Sequence, residues 1–346
     1  MNAHRLIDAN ANRAREALRV MEDGARFLLD DAALCAELKS MRHDLAAALG
    51  MLPGAGGIGL VQRDTPGDVG TTIGTPSEYT RATQRDVIVA AGKRCTEALR
   101  TIEEFAKTTG PPDVPRRIEA LRYRAYDVER RLTLAMGSGR GVQWKLCVLI
   151  TESLCIHHSW LDVARMAMEG GADCIQLREK ELDGRALVER AEELVRHRGE
   201  DSRVSIIVND RVDVALAAGA DGVHLGQGDL SVADARRMAG FDLLIGVSTS
   251  NLDEARQALR DGADSCGVGA MYPTTTKHKD TTAGVAYLRE YLAHDPPLPP
   301  HLAIGGITPE HIGELRAAGA QGVAVSSCVC GAKDPAAVCQ ALLHAE

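Results

Sequence analysis

Val204-Ser205-Ile206-Ile207-Val208-Asn209-Asp210 and, further on, Asp221-Gly222-Val223-His224-Leu225-Gly226-Gln227-Gly228-Asp229 are short apolar runs that each end in polar residues. Such runs read as buried parallel strands. A strand, a helix and a strand fit between Val204 and Leu225. Asp210 and Asp229 then project from the carboxyl ends of neighbouring strands, the rim at which α/β folds bind ligands. Two carboxylates with no Cys or His ligand pair beside them suit Mg²⁺, which shares its shell with substrate phosphates. A plainer reading stands beside this one: Asp210 caps the helix after it, and Asp229, before Leu230-Ser231-Val232, caps the next.

The same alternation extends on both sides. Strand candidates are 145–150, 173–178, 204–208, 221–225, 243–247, 265–269, 301–304 and 322–326, each followed by a helical stretch, the sixth after a longer loop. Gly-Ala-Asp precedes the second, fourth and sixth strands, at Gly171, Gly219 and Gly262, and Gly319-Ala320-Gln321 precedes the eighth. A glycine there ends a helix and turns the chain back to the sheet. Eight βα units in about 200 residues predict an α/β fold of the compact (β/α)8 TIM-barrel type, over 144–346. An open doubly wound sheet does not explain the count.

Read as one surface, the strand ends collect Gln176, Arg178, Glu179 and Lys180, then Asn209 and Asp210, then His224, Gln227 and Asp229, then Ser248 and Thr249. The sixth end supplies Tyr272-Pro273-Thr274-Thr275-Thr276-Lys277, the seventh Gly305-Gly306 and the eighth Ser326-Ser327. Taken singly, Gly305-Gly306 is a turn, His224 a packed strand-end imidazole and residues 274–276 a capping loop. Together they predict two anionic subsites: a metal-bridged polyphosphate at strands two to six, and a monophosphate at the glycine-rich turns of seven and eight.

These segments resemble the thiamine-phosphate synthase family over residues 144–345. The motifs are Gln176-Leu177-Arg178-Glu179-Lys180, Val208-Asn209-Asp210, Gly222-Val223-His224-Leu225-Gly226-Gln227, Gly246-Val247-Ser248, residues 267–277 and Ile304-Gly305-Gly306-Ile307. The resemblance implies a transferase of thiamine biosynthesis that joins hydroxymethylpyrimidine diphosphate to hydroxyethylthiazole phosphate and releases diphosphate. Asp210 and Asp229 would hold Mg²⁺. Arg178, Lys180, Asn209, Ser248 and Lys277 would bind the diphosphate, with Arg178, Lys180 and Lys277 catalytic. Gln176 and His224 would lie near the pyrimidine. Thr274, Thr275, Thr276, Gly306, Val325 and Ser326 would hold the thiazole phosphate. Two departures stand out: Gly228, where many relatives carry an acid, and Cys328-Val329-Cys330. Rival readings of the barrel are a thiazole tautomerase, which has no need of Asp210, Asp229 and Lys277, and a non-catalytic phosphate-binding regulator.

Residues 1–136 read as an all-helical domain, and 137–143, with Gly137-Ser138-Gly139-Arg140-Gly141, as a flexible linker. Helical periodicity covers 9–29, 34–49, 77–108 and 115–136, with a Gly-, Pro- and Thr-rich loop over 53–76. Arg13-x-x-Glu16-Ala17-Leu18-Arg19-Val20-Met21-Glu22-Asp23 is echoed by Arg94-x-x-Glu97-Ala98-Leu99-Arg100-Thr101-Ile102-Glu103-Glu104. Leu38-Lys39 with His43-Asp44-Leu45 is echoed by Leu121-Arg122 with Tyr126-Asp127-Val128. Two copies of a helical hairpin therefore predict a four-helix arrangement. Glu and Arg three apart on each first helix suggest ordinary intrahelical pairing. Asp8, Asn10, Asn12 and Arg13, with Arg63-Asp64-Thr65-Pro66 in the long loop, form a candidate polar site. Residues 7–23 resemble the small helical hydroxymethylpyrimidine phosphate kinases found fused to thiamine-phosphate synthases. That resemblance, over most of 4–135, implies ATP as a second ligand. There is no phosphate-binding G-x-x-x-x-G-K-[ST] loop, and a docking or assembly module is the alternative.

Composition narrows the classes. Residues 1–140 carry 18 Arg, 3 Lys and 19 acids, net +2, and the remainder carries 19 bases and 29 acids, net −10, which sum to the chain's −8. The Arg excess suits an anionic ligand or a solvated helix surface. Aromatics are only 3%, which argues against a stacking surface for nucleic acid. Nine scattered Cys without C-x-x-C read as reduced thiols of a cytoplasmic protein, with Cys328 and Cys330 as strand-end packing. The N-terminus lacks the apolar core of a signal peptide, and no run is long enough to span a membrane. Small phosphorylated substrates are the expected partners, and homo-oligomer formation is left open.

Overall fold

The computed structural model describes residues 3–53, 80–137, 142–198, 203–274 and 282–344. The chain divides into two compact units, Met1–Gly139 and Arg140–Glu346.

The first unit is helical. Among its described residues, α1 (Ala3–Phe27), α2 (Ala32–Gly50), α3 (Gln84–Thr109) and α4 (Asp113–Ala135) enclose one apolar core. The core is built from the periodic positions: Ala14, Leu18, Met21 and Ala25 of α1 meet Ala91, Cys95, Ala98 and Ile102 of α3. Most of these are small, so the echoed helices α1 and α3 pack together along their length. α3 begins at Gln84 rather than Ser77, because Thr83 and Asp86 exchange hydrogen bonds as a capping box. The long loop, with Arg63, Asp64, Thr65 and Pro66, lies outside the described residues except at Pro53. Of the candidate polar cluster, Asn10 Nδ2 donates to the Leu6 carbonyl at 2.9 Å and Asn12 Oδ1 accepts from Arg15 at 3.2 Å, both within α1.

The second unit is a closed barrel of eight parallel strands in sequential order, β1 to β8, with β8 paired to β1. The strands are Leu146–Ile150, Cys174–Leu177, Ser205–Asn209, Gly222–Leu225, Leu244–Thr249, Ser265–Gly269, His301–Ile304 and Val323–Val325. Each lies at the expected position. Between and after them run α5 (Trp160–Glu169), α6 (Gly184–Arg198), α7 (Val212–Ala217), α8 (Val232–Ala239), α9 (Leu252–Asp261), α10 (Gly284–Leu292), α11 (Ile312–Ala317), α12 (Ser327–Cys330) and α13 (Pro335–His344). One apolar layer fills the space between strands and helices. A second plugs the barrel floor with Trp144, Cys147, Leu149, Cys174, Ile207, Leu244, Leu302 and Ala324. That floor is packed, so a ligand must enter at the opposite, carboxyl-terminal rim.

The Gly-Ala-Asp repeats have a structural cause. The carboxylate of Asp173 accepts from Lys145 and Leu146 N–H, that of Asp221 from Ile206 N–H, and that of Asp264 from Ile245 N–H. Each acid thus satisfies the first amides of the preceding odd strand. Among the described residues no helix is long and apolar enough to cross a membrane. Cys328 and Cys330 lie on the short helix α12 after β8, not at a strand end.

Candidate active site

The carboxyl ends of the strands converge on one pocket. Gln176 enters it from β2, with Arg178 and Lys180 after that strand, Asn209 from the end of β3 with Asp210 after it, His224 and Asp229 from and after β4, and Ser248 from β5. Thr274 follows β6, Gly306 follows β7, and Val325 and Ser326 come from and after β8. Thr275, Thr276 and Lys277 lie outside the described residues.

The two acids are held by backbone, not as helix caps. The N-cap of α8 is Ser231, whose hydroxyl accepts from Asp234 N–H at 3.0 Å. Asp229 instead closes its own turn, with Oδ2 accepting from Gly226 N–H at 2.9 Å. α7 starts after Arg211 with no side-chain cap. Asp210 has φ +63°, a conformation that costs a non-glycine residue about 1–3 kcal/mol and persists where the surroundings impose it. Its N–H donates to the His224 carbonyl at 2.8 Å, which fixes the turn, and Lys180 Nζ stands 3.6 Å from its Oδ2. The plainer capping reading of both acids is therefore overturned.

His224 and Ser248 form the next layer. The imidazole Nε2 lies 3.0 Å from Ser248 Oγ. A Cβ on Gly246 would stand 2.7 Å from His224 Nδ1, and one on Gly267 3.1 Å from Cε1. The neighbouring strands β5 and β6 are glycine at these points because the ring occupies the space. Gln227, carried outward by the turn, donates from Nε2 to the Ser248 carbonyl at 2.7 Å.

Gln176 is 4% exposed, and its Oε1 is buried without a hydrogen-bond partner among the described residues. A buried carbonyl left unpaired costs about 1–3 kcal/mol, relieved if a ligand donor reaches it. On the opposite side Gly306 has φ +66°, and a Cβ there would collide with the Pro273 carbonyl at 2.4 Å. The seventh turn therefore presses backbone against the loop after β6, and only glycine fits. Ser326 Oγ donates to the Leu149 carbonyl at 2.9 Å.

Leu149, Ala270, Ile307 and Ala324 give the pocket an apolar wall, and of these Leu149 and Ala324 lie outside the motifs. Their signal, apolar residues near strand ends, is the same as that of the core. Among the described residues no cluster of three or more His, Cys, Asp or Glu side chains could hold a metal by itself. The arrangement is a half-apolar cleft with cations and two acids along one side and a glycine turn with a hydroxyl on the other. It can bind a flat apolar body that carries a polyphosphate, beside a second anionic ligand.

Comparison with known proteins matches both units of the chain. The model of a family described as thiamine monophosphate synthase matches residues 146–329, and that of the ThiD2 family matches residues 5–131. A thiamine-phosphate synthase of Rhodopirellula baltica is 40% identical over 93% of this chain and 87% of its own. One from Thermosynechococcus vestitus is 39% identical over 98% and 94%. Among solved structures, a thiamine phosphate pyrophosphorylase from Pyrococcus furiosus superposes with TM-score 0.51 at 36% identity, covering 57% of this chain and 93% of that one. With both domains matched in order and the barrel's rim built as described, this chain belongs to the thiamine-phosphate synthase family.

Proposed function

We propose that the barrel joins a hydroxymethylpyrimidine diphosphate to a hydroxyethylthiazole phosphate, and that the helical domain makes the diphosphate from the monophosphate with ATP. The observation that carries the barrel reading is the convergence of Arg178, Lys180, Asn209, Asp210, Asp229 and Ser248 on one side of a pocket whose other side is Gly306 and Ser326.

The pyrimidine lies over the apolar wall, with its exocyclic amine donating to the unpaired Gln176 Oε1. Arg178 and Lys180 carry the diphosphate, and Lys277 joins them by resemblance. The methylene–oxygen bond breaks with its electron pair leaving on diphosphate, and the thiazole nitrogen's lone pair forms the new carbon–nitrogen bond. No proton moves in that exchange, which accords with a pocket built of charge stabilisers rather than of a nucleophile and its base. Ser326, the Gly305-Gly306 turn and, by resemblance, residues 274–276 hold the thiazole phosphate so that its nitrogen faces the methylene.

The donor set fits Mg²⁺. Asp210 and Asp229, which both line the pocket, offer oxygen only and would hold the ion together with water and diphosphate oxygens. When bound, the ion neutralises charge on the departing diphosphate. Gly228 stands before Asp229 where the resemblance implies an acid, so Asp210 and Asp229 are the two carboxylates offered. The kinase reading rests on the ThiD2 match alone.

The test uses the full chain with thiazole phosphate and Mg²⁺. Thiamine phosphate is expected from the pyrimidine diphosphate, and from the monophosphate only when ATP is present. Asp229→Ala is expected to lower turnover by about 10²-fold or more. Near-normal turnover of that variant would remove the metal assignment. Absence of product from the diphosphate would remove the barrel reading, and absence from the monophosphate the kinase reading.

A further inference from the structure

A tyrosine side chain ties the loop after β6 to the helix after β7. The Tyr272 ring stacks on the His311 imidazole, with centroids 3.8 Å apart and planes 18° off parallel. Its hydroxyl donates to Glu314 Oε2 at 2.6 Å. His311 ends the turn Pro309–His311 that leads into α11, and Glu314 lies on α11. The imidazole is itself held, because its Nδ1 accepts from Thr308 N–H at 3.2 Å. Burial, then the hydrogen bond to Glu314, push the Tyr272 hydroxyl up to about 12, so it remains a donor at neutral pH.

The backbone of the same residue continues the β6–β7 pairing past the strand ends. Met271 N–H donates to the Ile304 carbonyl and Tyr272 N–H to that of Gly305, both at 2.9 Å. Tyr272 Cβ would stand 2.9 Å from a Cβ on Gly306. Tyr272 is not among the described residues that line the pocket, whereas Thr274, Gly305 and Gly306 are. Its effect on the site therefore runs through the backbone on either side of it. Two ladder hydrogen bonds fix how the loop leaves β6. The stacked ring and the hydrogen bond to a carboxylate fix how the chain beyond them is turned.

We propose that Tyr272 is a positioning residue for the thiazole phosphate: anchored on His311 and Glu314, it sets Thr274 against the Gly305-Gly306 turn, so that both sides grip the phosphate. This rests on the proposed placement of that phosphate at Thr274, Gly306 and Ser326. Without the anchor the start of the loop swings about the Met271 backbone, and Thr274 loses its register with Gly306. The ligand must then restore the geometry out of its own binding energy. Arg178 and Lys180, which follow β2 on the other side of the pocket, keep their places. The loss therefore falls on the thiazole phosphate more than on the diphosphate.

The test compares the full-length protein with Tyr272→Phe, which keeps the stack and loses the hydroxyl, with Glu314→Ala, which removes the acceptor, with the two combined, and with Glu314→Gln. Each of the first two should raise the KM for thiazole phosphate about fivefold, the size of an ordinary coupling between contacting residues, with kcat nearly unchanged and a smaller change for the diphosphate. The combined variant should be no worse than either alone. Glu314→Gln keeps an acceptor oxygen and should lie near the unsubstituted protein. Calorimetric titration with thiazole phosphate should show the same weakening without the diphosphate present. Thermal melts are the folding control, and Glu314, being exposed, carries the same expectation should Tyr272→Phe fold poorly. A lower melting temperature with an unchanged thiazole phosphate KM would make Tyr272 a packing residue only and overturn the proposal. Additive effects in the combined variant would overturn it too, since the hydroxyl and the carboxylate would then act apart. If the unsubstituted protein makes no thiamine phosphate from the diphosphate, the synthase reading falls and this one with it. If it does and the variants match it, only this one falls.

Discussion

Glu179 sits between Arg178 and Lys180 but turns away from the ligand side. Its Oε1 accepts from Glu152 N–H at 2.7 Å and from Arg190 at 3.2 Å, while Arg190 also reaches Glu152 Oε2 at 2.6 Å and covers the Trp160 ring. This clamp ties the loop after β2 to the loop after β1 and to α6, so that the two cations on either side hold still. Glu179→Gln keeps the shape and the acceptor oxygen but loses the charge opposite Arg190. Its KM for the diphosphate substrate should rise a few-fold with kcat nearly unchanged, since the acid touches no reacting atom. Steady-state kinetics with each substrate varied would show it, and a fall in kcat alone would refute it. At this scale much of the rim was legible, because Asp210, Asp229, Arg178 and Lys180 are polar residues at the ends of apolar runs. What stayed hidden was which group performs a local duty. Only coordinates show that Ser231 is the cap of α8, that Gln176 Oε1 is unpaired, and that Gly246 and Gly267 make room for an imidazole.

Among elements, the three Gly-Ala-Asp turns look alike in sequence but differ in what stands behind them. Asp173 accepts from the Lys145 and Leu146 amides near the surface. Asp264 accepts from Ile245 N–H and also pairs with Arg236 at 2.8 Å, with side chains only 7% and 5% exposed. Asp173→Ala should cost about 1–2 kcal/mol in lost hydrogen bonds. Asp264→Ala should cost about 3–5 kcal/mol, because it strands a buried guanidinium. Denaturant titrations of the two variants decide it, and equal losses would show that the Arg236 pair contributes nothing. The fourth copy has Gln321 in place of the acid. Its N–H donates to Nε2 of His301 at 3.4 Å, and burial holds that imidazole's pKa below its ordinary 6.5. An unfolded chain then binds the proton more readily than the folded one, so stability is full above about 6.5 and falls as the pH drops through that value. His301→Gln should flatten this part of the Tm profile between about pH 7.5 and 5.5. A profile unchanged by the substitution would exclude His301 as its source. The repeat was legible as a pattern. The burial behind each copy was not, because it depends on helices distant in the chain.

Over the whole molecule, the duplicated hairpins were legible from the echo of residues 13–23 in 94–104, and one consequence of that echo appears only in three dimensions. Glu22 and Glu103 occupy matching places in α1 and α3, and both are buried. Besides the intrahelical partners Arg19 and Arg100, each meets an arginine of the helix that follows: Arg42 at 2.6 Å and Arg122 at 3.0 Å. Arg42 and Arg122 are not counterparts in the echo, where Arg122 aligns with Lys39, so the two halves reach the same clamp by different positions. A buried clamp in each hairpin, around a core that shares no residue with the barrel cores, makes the helical unit self-sufficient. Removing one partner of a buried pair costs about 3–5 kcal/mol, a large share of a domain's total stability. Arg122→Met should therefore unfold the helical unit at a lower temperature and leave the barrel's transition in place. Calorimetry of the full chain is expected to show two transitions, of which only one moves, while synthesis of thiamine phosphate from the diphosphate survives past the first. Synthesis from the monophosphate and ATP should fail with that first transition. Were both activities and both transitions to shift together, the two units would be one cooperative body, and the helical domain would act on the barrel.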